Sequence, residues 1–106
     1  MIQEVWTLDA EATRSSYNEL SEWARRLAQA ANEHELVRDA FCLRTETGDV
    51  EFHKLYFVLV FDSIPDRDKA YKTGLFSEKL RALLDENREK HYFDRWSAHY
   101  YYNVLK

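Results

Sequence analysis

Cysteine occurs once in the 106 residues, proline once and glycine twice. A lone Cys42 forms no internal disulfide, and no charged-then-apolar leader opens the chain, so a reducing cytoplasm is the expected compartment. Two glycines leave no material for a glycine-rich phosphate loop and, with a single proline, little for long connections or linkers. No stretch approaches the ~20 consecutive apolar residues of a membrane span. Positive charge is not in excess: 15 Lys and Arg stand against 19 Asp and Glu, giving a net charge of −4. The charges are spread without blocks, which argues against a nucleic-acid surface. The four histidines, His34, His53, His91 and His99, follow no ligand spacing, so no metal and no cofactor are expected. Cys42 has no histidine near it in sequence and reads as small apolar filler rather than a nucleophile.

What the chain does have is rings. Aromatic residues make up 15% of a sequence that is 45% hydrophobic and 32% charged. Its length and composition suit a single domain over residues 1–106. An aromatic excess fits a small core filled by large rings, a ligand cavity, or an interface.

Periodicity orders the elements. "MIQEVWTL" alternates as a first strand ending near Leu8, with Ile2, Trp6 and Leu8 on one parity and Gln3, Val5 and Thr7 on the other. Asp9 then reads as a helix cap, and Tyr17, Leu20, Ala24, Leu27 and Ala31 form an apolar stripe on the helix that follows. "LVRDAFCLRTE" reads as a second strand, and Gly48 beside Asp49 as a hairpin leading into a third, from about Val50 to Phe61. That third strand is long enough to predict a bulge near Lys54. Ser63, Pro65 and Gly74 are placed to cap, start and close a short helix, and Ser77 to cap a second piece carrying Leu80, Leu83 and Leu84. "EKHYFDRW" reads as a helix exit with Phe93 and Trp96 on the core, and "RWSAHYYYNVL" as a last aromatic strand.

Strand, helix, strand, strand, helix, strand is the ferredoxin-like βαββαβ plan: α+β, with a four-stranded antiparallel sheet and both helices on one face. Against that plan one segment stands out. Leu55 to Phe61, "LYFVLVF", is apolar on both parities, although one sheet face should be bare. Burying a single such side chain contributes roughly 1.5–3 kcal/mol, and monomers avoid exposing large apolar patches. The most economical cover is a second copy. Leu55, Phe57, Leu59 and Phe61 are assigned to the helix side, and Tyr56, Val58 and Val60 to a dimer interface.

The run "FVLVFDSIPDRDKAYKTGLFSEKLRALL", followed by an aromatic strand, resembles the dimeric α+β barrel superfamily, which includes antibiotic-biosynthesis monooxygenase-like and NIPSNAP-like domains. The resemblance extends as a pattern over nearly the whole chain and carries no catalytic motif. It implies a homodimer whose two sheets face each other as a barrel, and often a small-molecule pocket enclosed between sheet and helices. It does not set an activity, since such folds host cofactor-independent oxygenases, haem-degrading enzymes, isomerases and domains with no known reaction. Oxygenases of that group use Asn, Trp, Tyr and His side chains around a substrate that itself activates oxygen. In "AHYYYNV", Ser97, His99, Tyr101 and Asn103 form a polar parity that faces either solvent or a barrel lumen. His99, Tyr101 and Asn103 are therefore candidate ligand-binding residues, with Tyr56 and Trp6 as wall residues. Two functions remain open: a homodimer binding a small aromatic or polyketide-like molecule, as a monooxygenase-like enzyme, or a non-enzymatic dimeric stress-response or partner-binding module.

Overall fold

A computed structural model describes residues 1–11, 17–44, 52–75, 79–90 and 95–102. The elements are β1 (Ile2–Glu11), α1 (Tyr17–Asn32), β2 (Asp39–Arg44), β3 (Phe52–Phe61), α2 (Ile64–Lys72), α3 (Lys79–Lys90) and β4 (Arg95–Tyr102). The strands form one antiparallel sheet in the order β2-β3-β1-β4. Among the described residues, no helix is long and apolar enough to cross a membrane.

Strand pairing decides which side chains share a face, because residues directly opposite each other point the same way. Ile2, Glu4, Trp6 and Leu8 of β1 lie opposite Phe61, Leu59, Phe57 and Leu55 of β3. Most of these join the buried core, together with Leu20, Trp23, Ala24, Leu27, Ala28 and Ala31 of α1, Ala70 of α2 and Leu80 of α3. One parity of the sheet thus packs under the helices, and the assignment of Leu55, Phe57, Leu59 and Phe61 to that side agrees with their burial. The stripe on α1 is wider than its spacing suggested, since Trp23 is fully buried and donates its indole N–H to the Leu83 carbonyl of α3 at 2.7 Å. Arg26 and Glu86 bind the same two helices through a pair of hydrogen bonds at 3.0 and 2.9 Å.

Helix α2 starts as its sequence predicts. Ser63 is the N-cap and accepts from the Asp66 N–H, Pro65 occupies the first turn, and Gly74 follows at φ 96°, a left-handed value that glycine adopts without a steric penalty.

Two expectations are corrected. The first strand does not end near Leu8 but runs to Glu11, so Asp9 is not a helix cap; it is a strand residue opposite Lys54 and Arg95. No bulge interrupts β3 near Lys54: the pairing with β1 is continuous from Phe52 to Phe61, and the strand is long because its partner is equally long. The two candidate wall residues lie on different faces, Trp6 opposite Phe57 and Tyr56 opposite Thr7. The hairpin at Gly48 and Asp49, Ser77, Phe93 and Asn103 lie outside the described residues.

Candidate functional site

The open face of the sheet is built from the remaining parity. Phe41, Val58, Val5 and His99 form one row across it; Leu43, Tyr56, Thr7 and Ser97 form the next; Asp39, Val60, Gln3 and Tyr101 form a third. The pairing thus brings His99 and Tyr101 of β4 onto the face that carries Tyr56, Val58 and Val60, and leaves Trp6 on the other, packed against the helix-side core. His99 is exposed and Tyr56 half-buried, whereas Val58 and Val60 are already 3% and 6% exposed within the single chain. Neither valine belongs to the core beneath the helices. Leu43, at the outer end of its row, is 54% exposed.

Under the helices lies a polar group that periodicity had passed over. Glu4 takes a place on the apolar parity of β1 and is 1% exposed. A carboxylate there is costly unless it is matched. Two residues of α2 match it: Arg67 donates to one Glu4 oxygen at 3.0 Å, and the Tyr71 hydroxyl donates to the other in a short contact. Arg67 and Tyr71 are one helical turn apart, so both reach the same carboxylate, and the guanidinium lies over the Tyr71 ring at 4.2 Å. Burial pulls the Arg67 guanidinium down, but its hydrogen bonds to Glu4 and Asp68 and the Glu4 charge together leave it raised. The group is a polar seat for α2, of which Ala70 is the buried apolar residue. The signal in the sequence was an acid among Ile2, Trp6 and Leu8, paired with an Arg and a Tyr four apart.

A cleft of about 480 Å³ opens between α1 and the edge strand β2, lined by residues that include Arg25, Ala28, Gln29, Asn32, Cys42 and Leu43. Cys42 donates its thiol to the Ala24 carbonyl at 3.2 Å, and burial pushes the thiol up to about 12, so it is protonated at neutral pH and a poor nucleophile. His34 joins the end of α1 to the end of α2: its Nδ1 accepts from the Leu36 N–H, and its Nε2 meets the Thr73 hydroxyl at 3.1 Å. Among the described residues, no group of three His, Cys, Asp or Glu side chains is arranged to hold a metal ion.

No family model and no curated protein matches the sequence. Solved structures do match the fold. A proposed antibiotic biosynthesis monooxygenase of Deinococcus radiodurans superposes with a TM-score of 0.72 over 100% of this chain and 95% of its own, at 13% identity. The fold is that of the antibiotic-biosynthesis-monooxygenase-like proteins. An uncharacterised NIPSNAP domain protein of Burkholderia xenovorans matches at 0.65, 12% identity, and 99% and 96% coverage. A dimeric protein of unknown function with a ferredoxin-like fold, from Bacteroides fragilis, matches at 0.59, 10% identity, and 94% of each chain. At these identities the likeness is one of fold.

Proposed function

We propose that the chain forms a homodimer through the open face of its sheet and that the dimer binds a small aromatic or polyketide-like molecule, its most specific form being a cofactor-independent monooxygenase. The observation that carries this reading is the apolar open face: Val5, Phe41, Leu43, Tyr56, Val58 and Val60 share it, outside the core that the helices cover. The fold shared with proteins named as monooxygenases, and with one named as dimeric, supports it. His99 and Tyr56 share this face, Tyr101 follows on β4 opposite Gln3, Asn103 is a candidate by its sequence alone, and Trp6 is left out because it lies on the helix side. In the oxygenase form His99 takes the phenolic proton of the substrate, and the electron-rich phenolate reacts with dioxygen, one oxygen atom entering the ring as a quinone carbonyl and the other leaving as water with two hydrogens of the substrate.

The burial of Val58 and Val60 within one chain favours a second reading, a dimeric module whose lumen is filled by its own side chains. Light scattering and oxygen uptake with 1-naphthol separate the two. A dimer whose oxygen uptake depends on 1-naphthol, and falls at least tenfold in His99→Ala, is expected for the enzyme. A dimer with no uptake leaves the packed module, and a monomer at micromolar concentration overturns both.

A further inference from the structure

The cleft between α1 and β2 contains an internal demonstration of what it recognises. β2 is an edge strand, and an edge carries outward N–H and C=O groups that need partners. At Ala40 both are matched by one side chain: the Ala40 N–H donates to Asn32 Oδ1 at 2.9 Å, and Asn32 Nδ2 donates to the Ala40 carbonyl at 2.8 Å. A single planar carboxamide therefore stands in for the next strand.

Outward and inward groups alternate along a strand, so Cys42, two residues on, presents its N–H and C=O on the same edge as Ala40, about 6.7 Å further along. On α1 the residue one turn before Asn32 is Ala28, which lies on the same helix face and carries only a methyl group. Asn32 fills the space before Ala40; among the described residues, α1 offers only the Ala28 methyl at the equivalent place before Cys42. Both Ala28 and Cys42 line the cleft. Its volume of about 480 Å³ falls within the roughly 300–1,000 Å³ of small-molecule sites. Gln29 adds a polar group and Leu43 an exposed apolar lip. Among the described lining residues the cation is Arg25, which is tied to Glu22 by hydrogen bonds at 3.1 and 2.6 Å.

We propose that this cleft binds a small, neutral, planar amide whose lactam edge pairs with the N–H and C=O of Cys42 as Asn32 pairs with Ala40. The cleft meets the open sheet face at its rim, where Phe41 and Leu43 line both.

Amide resonances of the full chain, titrated with quinolin-2(1H)-one, test the proposal. A saturable shift of the Cys42 N–H together with Ala28 and Gln29 is expected, and the N-methyl analogue, which lacks the donor, should bind roughly tenfold more weakly. Equal binding of the two compounds, shifts centred on Val5, Val58 and His99, or no saturable shift at all would overturn it. Ala28→Asn supplies the missing carboxamide from within, and Gln29→Trp fills the cleft from its exposed wall. Either variant, if its spectrum shows a folded chain, should lose binding, and retained binding would refute the site. Should neither fold, the comparison of the two quinolinones on the unaltered protein still decides.

Discussion

Glu4 shows how a single residue can bind a helix to a sheet. Its two oxygens are taken by Arg67 and Tyr71, and the group is almost closed to water. Removing the acid alone leaves the Arg67 charge, 23% exposed at its side chain, without its main counterion. Glu4→Leu should therefore cost about 3 kcal/mol, a fall in melting temperature of roughly 15 °C, and Glu4→Leu with Arg67→Met should regain part of it. Thermal denaturation of the two variants checks this, and a double variant no more stable than the single one would deny the pairing its role. Cys42 gives a prediction with a definite sign in pH. Its thiol is raised from 9.0 to about 12 in the folded chain by burial, so the folded state holds the proton more tightly than the unfolded one. The stability this contributes is fully present below pH 9 and is lost as pH rises towards 12. Relative to Cys42→Ala, the protein should lose stability over that window in urea titrations, and a thiol reagent at pH 8 should label Cys42 more slowly in the folded chain than in the unfolded one. Rapid labelling of the native chain would contradict the burial.

At the scale of elements, α2 illustrates what local chemistry specifies. Ser63, Pro65 and Gly74 each hold the place their backbone preferences suggest, because capping and turn geometry depend on a few neighbouring residues. Ser63→Ala should lower stability by about 1 kcal/mol, measured by urea denaturation, while Ser63→Asp should hold it near the starting value; equal losses in both would mean that the side chain is not a cap. The strands themselves were legible in the same local way, but Leu55 to Phe61 is apolar on both parities, so periodicity did not give its facing; the packing of Leu55, Phe57, Leu59 and Phe61 under the helices does. The length of β1 was not legible either. Asp9 resembles a cap when read alone, and only its pairing with Lys54 and Arg95 reveals a strand. The seat at Glu4 was hidden for a related reason. Its partners lie more than sixty positions away, so an acid on an apolar parity looked like noise until α2 was placed above it. The face that two strands share depends on register, which neither strand carries alone: register puts His99 on the face of Tyr56 and Trp6 on the other.

For the molecule as a whole, the two parities of β3 should respond differently to the same charge. Phe57 is in the helix-side core and Val58 on the open face. Phe57→Lys should give unfolded or insoluble chains, because a lysine there meets only apolar neighbours. Val58→Lys, at a position buried within one chain but outside that core, should cost less stability than Phe57→Lys and lower the mass by light scattering to that of one chain, since two like charges would meet across a twofold interface. A Val58→Lys protein that keeps its dimer mass would show that association uses another surface.

The near-equal apolar character of those two parities also has a consequence for how the chain finds its pairing. In most half-buried strands, sliding by one residue moves the apolar set into water, and hydrophobicity rejects the error. In β3 the slide exchanges Leu55, Phe57, Leu59 and Phe61 for Tyr56, Val58 and Val60, and one greasy surface replaces another. Rejection then falls to the polar partners. α2 begins three residues after β3 ends, so a slip of one position carries Arg67 and Tyr71 about 3.4 Å past the Glu4 carboxylate, beyond hydrogen-bond reach. An acid that contributes little as a packing residue thus acts as the proofreader of strand alignment.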